Sequence, residues 1–151
     1  MPHSRVWSCA KVSRRQLQKF LLQQEALKLV YLLEEYGDRP SVEAIHLLLL
    51  TGASKSEILY ARWQDVHLRR AVLATRMTYT GQSRFIPLNT EAIRLIRRLP
   101  RRKDGAVALC FFIRAAPYFY FYTWNLLRTR LGRPELRIQD LRHNFAGLTM
   151  F

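Results

Sequence analysis

The sequence predicts a mainly α-helical domain with a small antiparallel β-hairpin set among its helices, an α+β helical bundle. Three observations carry that expectation. Apolar residues recur at three- and four-residue steps along most of the chain, which is the period of an amphipathic helix. Ser, Asn, Gly and Pro punctuate those stretches where helix caps and stops belong. Between residues 71 and 88 the pattern turns β-favouring around a glycine-containing turn. With 151 residues, 49% of them hydrophobic, the chain can bury one ordinary core, so a single domain is expected.

Each element follows from its own residues. Ser13 can cap a first helix whose apolar positions Leu17, Phe20, Leu21, Leu27, Val30 and Tyr31 run until Gly37 and Pro40. Ser41 can start a second helix, apolar on nearly every side at Ile45 and Leu47–Leu50, as at the centre of a bundle; Gly52 ends it. Ser54 and Glu57 have the spacing of a capping box, opening a third helix that carries Ile58, Leu59, Arg62 and Trp63 and stops near Asp65. Ala71–Met77 and Arg84–Leu88 read as strands joined through Thr80-Gly81-Gln82. Asn89 or Thr90 caps a basic amphipathic helix in which Ile93, Leu95, Ile96 and Leu99 alternate with Arg94, Arg97 and Arg98 before Pro100. Residues 106–113 fit a strand or a buried loop. Thr123–Leu131 reads as a helix ended by Gly132, and Asp140 can cap a last one over Leu141–Met150.

Charge narrows the function. Lys+Arg number 25 against 11 Asp+Glu, a net +14 with a pI near 10.7, which favours a polyanionic partner. Residues 55–142 hold eighteen basic against six acidic side chains, so the positive field belongs to the C-terminal two-thirds. All but five of the cations are arginines, suited to bidentate phosphate contacts. Cys9 and Cys110 lie far apart and outside any motif, as expected of reduced thiols in the cytoplasm, and neither suggests a metal site; no metal or other cofactor is expected. The stretch GAVALCFFIRAAPYFYFYTW (105–124) comes nearest to a membrane span, but Arg114 and Pro117 interrupt it, so no membrane partner is expected.

The order of the parts carries a resemblance. The run LLLLTGASKSEILYARWQDVHL, then a hairpin with TYTGQSRFIPLN, then a tryptophan in a helix, then LRIQDLRHNFAGL, resembles the catalytic domain of phage integrases, the tyrosine recombinases. It covers roughly residues 14–151 and leaves 1–13 as an N-terminal extension. The resemblance implies DNA strand cleavage by a tyrosine and rejoining without metal or nucleotide. A pentavalent phosphorane gathers negative charge, so two arginines clamp it, while a lysine on the hairpin and a histidine near the second arginine move protons.

Against that pattern the chain departs at four places. T-G-x-R-x-x-E puts Ser54 where the first clamping arginine belongs, and T-K-x-G-x-x-R puts Tyr79 where the general-acid lysine belongs. H-x-L-R-H keeps the second clamping arginine as Arg142, followed by His143, but has Gln139 in place of the histidine. All seven tyrosines precede Arg142, so the chain is expected to be C-terminally truncated, lacking the final helices and the nucleophile. The expected function is therefore a DNA-binding relative of the integrases, catalytically inactive by itself. Two alternatives stand beside it: a strand-transfer component complemented in trans by an intact integrase, and a mobile-element remnant whose exposed Leu148, Met150 and Phe151 favour self-association.

Double-stranded DNA is the expected partner, with Arg84, Arg94, Arg97, Arg98, Arg101, Arg102 and Lys103 as phosphate contacts, although a solvated helix face explains the 94–103 cations equally well. Trp63 and Trp124 are expected in the core, Asp140 as a helix cap and Glu57 as a capping partner.

Overall fold

The axis of the bundle is the helix α2, Pro40–Thr51. Its residues Val42, Ala44, Ile45, Leu47, Leu48 and Leu49 are all buried, which is why its sequence is apolar all round. Pro40 occupies the first turn, where a missing N–H costs nothing. Ser41, expected to start this helix, lies inside it, and its buried hydroxyl shares a 2.8 Å hydrogen bond with that of Thr123. The computed structural model describes residues 20–37, 39–75, 82–99 and 117–148, without the side chains of 117–120 and 146–148.

Around α2 are packed α1 (Gln23–Tyr36), α3 (Lys55–Leu59), α4 (Thr90–Arg98), α5 (Pro117–Leu131) and α6 (Asp140–Leu148); α1 also meets α5. The face of α1 differs from the one its sequence suggests. Ala26, Leu29, Leu32 and Leu33 are buried, while Phe20, Leu27 and Tyr31 are exposed. Between residues 26 and 33 only Lys28 is polar, so periodicity there does not select a stripe; contact with α2 and α5 does. Ser13 and Leu17, the expected beginning of this helix, lie outside the described residues, as do residues 106–113 and the side chains or positions of Leu148, Met150 and Phe151. α5 starts earlier than expected, at Pro117.

The third helix is shorter than predicted. It ends at Leu59, and a 3-10 turn at Trp63–Asp65 follows, with Arg62 before it. A strand that the sequence does not advertise, β1 (Val66–His67), then pairs with β2 (Val72–Thr75), which pairs with β3 (Arg84–Pro87), all antiparallel. Leu73 and Ile86 face each other across β2 and β3 and are both buried, whereas Phe85 points to solvent. Asn89 caps α4 by accepting the Ala92 N–H at 2.8 Å, and its amide nitrogen donates to the Leu50 carbonyl at 3.2 Å, tying the sheet's exit to the end of α2.

Four carboxylates repeat one local device, reaching back three residues to accept a backbone N–H. Glu25 takes Leu22, Glu57 takes Ser54, Asp65 takes Arg62 and Asp140 takes Arg137. Asp140 thus sits in the first turn of α6 and braces Arg137, three residues before it, where the sequence suggested a cap proper.

Candidate functional site

The loop Thr51–Ser54 is shaped by close packing. Thr51 donates its hydroxyl to the Leu47 carbonyl at 2.6 Å. Gly52 follows with φ +63°, and a Cβ there would fall 2.5 Å from Cδ1 of Phe145 on α6. Only glycine satisfies both the left-handed backbone and that approach. The loop is therefore laid directly against the helix that carries Arg142, and Phe145 and Arg142 are three residues apart on neighbouring ground of that helix.

Ser54 ends the loop as the N-cap of α3. Its hydroxyl accepts the Glu57 N–H at 3.3 Å, and Glu57 Oε2 accepts the Ser54 N–H at 2.7 Å. The same carboxylate receives Arg84 from β3, Nε to Oε1 at 2.7 Å and Nη2 to Oε2 at 2.8 Å. Burial raises the Glu57 pKa, but the hydrogen bonds from Arg84 and from Ser54 outweigh it and hold the carboxyl below its usual value. Arg84 is correspondingly raised, first by its hydrogen bond to Glu57. Its guanidinium thus spends one edge on Glu57 while the side chain stays 40% exposed.

Gln139, just before α6, and Arg142 and His143 on it are exposed. The His143 ring stands edge-on to Phe20, with centroids 6.4 Å apart. Asn144 is buried on the inner side, with its Oδ1 accepting the Leu21 N–H at 2.6 Å and its Nδ2 donating to the Asp140 carbonyl at 2.8 Å. Trp124 is in the core, its indole N–H donating to the Leu136 carbonyl at 3.2 Å; Trp63, expected there too, is half-buried at the core's edge. Arg94, Arg97 and Arg98 are exposed on α4, and Arg94 pairs with Glu91. Tyr79, Arg101, Arg102 and Lys103 lie outside the described residues.

The structure thus brings Ser54, Glu57 and Arg84 together, and lays their loop beside the helix that carries Arg142. Sequence reasoning missed the Glu57–Arg84 pair, 27 residues apart, and missed Asn144. The second was findable, since Leu141, Asn144 and Leu148 form a helical stripe in which one polar residue is out of place. A separate groove of about 600 Å³ opens between α1, α2 and α4, where His46 faces Glu34, Glu43, Glu91 and Arg98. Among the described residues no group of three or more His, Cys, Asp or Glu is placed to hold a metal ion, and no helix is long and apolar enough to cross a membrane.

A helical bundle with this small sheet, and with the T-G loop set against a helix bearing L-R-H, has the tyrosine-recombinase fold. In sequence it is similar to a shufflon-specific DNA recombinase of Escherichia coli, 34% identical over 98 residues, which make up 65% of this chain and 24% of that protein. In structure it is similar to the XerA recombinase, with a TM-score of 0.62 and 18% identity over 87% of this chain and 49% of that one. No family model matches. The chain spans about a quarter of the curated relative it matches and about half of the solved structure.

Proposed function

We propose that this chain is a DNA-binding module of the recombinase fold whose own strand-cleaving constellation is disarmed. One observation carries the reading: at the position the family gives to a clamping arginine, the Ser54 hydroxyl is committed to capping α3, and the neighbouring Glu57 is committed to Arg84. A hydroxyl so engaged supplies no charge to a phosphorane. Losing one preorganised donor lowers rate by roughly 10²–10³. Gln139 adds a second loss, because an amide neither takes nor gives a proton at neutral pH. Such losses are not additive, but together they leave little of the cleavage chemistry. Phosphate binding asks for less. Arg142 is exposed on the helix that packs against the loop, and the net +14 supplies the long-range attraction that brings DNA to it.

The test is fluorescence anisotropy with a labelled duplex of about 30 base pairs, titrated from low to physiological salt. Binding is expected to weaken with a log–log slope of several units, and Arg142→Ala to reduce that slope by about 1. Ser54→Arg is expected to tighten binding and steepen the slope by about 1, with no cleavage. Folded protein that fails to bind at low salt would overturn the DNA reading; a covalent protein–DNA adduct formed by this chain alone would overturn the disarmed one.

A further inference from the structure

We infer that Asn144, Arg133 and Glu25 are positioning residues, a clasp that sets the direction of Arg142 from the inner side of α6. The inference rests on Arg142 meeting phosphate, as proposed above. Three residues, Asn144, Arg133 and His143, fasten the segment Phe20–Glu25, which leads into α1, to the corner before and into α6. Leu21 donates its N–H to Asn144 Oδ1 at 2.6 Å. Arg133 donates to Glu25 at 2.7 Å and to the Phe20 carbonyl at 3.4 Å. The Phe20 ring meets His143 edge-on.

The direction of each bond is fixed by chemistry. A backbone N–H only donates, so the atom of Asn144 facing Leu21 is its oxygen, and the amide nitrogen must turn to the Asp140 carbonyl. Asp140 in turn accepts the Arg137 N–H at 2.9 Å. The first turn of α6 is thereby held in sequence from the segment to Asn144, to Asp140, to Arg137, with Arg142 bracketed between. Two residues along a helix turn through roughly 200°, so Asn144 faces inward while Arg142 faces solvent. Asn144 is 4% exposed, where leucine would fill the stripe without a polar group to satisfy. What the amide adds is a fixed bond direction. Arg133 serves the same end from the α5–α6 connection, its side chain 16% exposed between Glu25 and Glu135.

The experiment is a double-mutant cycle on the whole chain, read by anisotropy with the same duplex. Glu25→Gln is the informative variant. Its amide oxygen can still accept the Leu22 N–H, but the pair with Arg133 loses its charge. It also makes the protein more positive, so field alone tightens DNA binding, whereas loss of position weakens it. Weakening of about threefold to tenfold is expected, the net worth of one such bond, and never more than Arg142→Ala itself produces. Asn144→Leu, which changes no charge, is expected to act in the same direction. Arg133→Lys should recover most of what Arg133→Gln loses. In the Arg142→Ala background none of these changes should weaken binding further.

Glu25→Gln binding as tightly as the parent or more so, or an effect that persists undiminished without Arg142, would overturn the clasp. Arg142→Ala indistinguishable from the parent would instead sink the phosphate reading. Amide hydrogen exchange then tests the clasp without DNA: the first turn of α6 must exchange faster in Glu25→Gln, and unchanged exchange there overturns it.

Discussion

Replacing Glu57 by Gln removes the charge at the junction of α3 and β3 while keeping the side-chain shape. The carboxylate is 4% exposed and receives three short bonds, two from Arg84 and one from the Ser54 N–H. A charge-assisted bond contributes about 1.5–3 kcal/mol net, and the lower end applies because the arginine is 40% exposed and partly screened. Gln can keep the bond to Ser54, but then its NH₂ is turned toward the guanidinium, donor against donor. The expected loss is about 2–4 kcal/mol, lowering the melting temperature by about 2–4 °C for each of them. Arg84→Met should cost less, about 1–2 kcal/mol, because the abandoned carboxylate keeps its bond to Ser54.

Urea unfolding followed by the fluorescence of the three tryptophans, Trp7, Trp63 and Trp124, measures all four corners of the cycle. The double variant should fall short of the sum by about 1–2 kcal/mol. The pH dependence has a definite sign. Glu57 is depressed in the fold, so its contribution is complete above the unfolded carboxyl range, about 4.3, and is lost as pH falls through the lower folded value. The parent should lose stability there more steeply than Glu57→Gln. A coupling energy below about 0.5 kcal/mol would show that the two side chains are neighbours without being partners, refuting the reasoning.

Gly52→Ala should cost about 2–4 kcal/mol in the same urea assay, from the left-handed backbone and the overlap with Phe145, and a loss under about 1 kcal/mol would contradict that packing. Trp124→Phe removes the indole donor to the Leu136 carbonyl, which Arg128 also reaches at 3.4 Å, so the loss should stay near 1 kcal/mol, about that of one neutral hydrogen bond. Burial lowers the His46 pKa and Arg98 pushes the same way, against Glu34 and Glu91, so its contribution to stability is complete above about 6.5 and lost as pH falls through its folded value. His46→Gln should accordingly flatten the decline in urea midpoint on acidification, and an unchanged decline would count against burial as what lowers the pKa of this half-buried imidazole.

Where structure is local, the sequence was enough. Ser54–Glu57, Asn89–Ala92 and the glycine after Thr51 act within four residues, and each appears where its spacing implies. The buried axis was equally legible, because a helix apolar on every side has nowhere else to go. What failed depended on partners distant in sequence. Leu27 and Tyr31 have the same helical spacing as Leu29 and Leu33, and the positions of α2 and α5 decide which pair is covered. β1 is two residues long and exists through its pairing with β2. Arg84, expected as a phosphate contact, spends one edge of its guanidinium on Glu57, which lies 27 residues away in sequence.

The bond between Leu21 and Asn144 joins residues 123 apart. Closing a loop of that length costs about 2 kcal/mol more chain entropy than closing one of a dozen residues. Helix caps and the hairpin can form while that loop is still open, so the contact belongs on the native side of the folding barrier. Interactions absent at the barrier slow the escape from the folded state and leave its formation untouched. In stopped-flow measurements Asn144→Ala should therefore speed unfolding and spare refolding. On that reasoning the Leu21–Asn144 bond forms late and breaks early, so a bundle otherwise complete can still leave the helix that bears Arg142 unclasped.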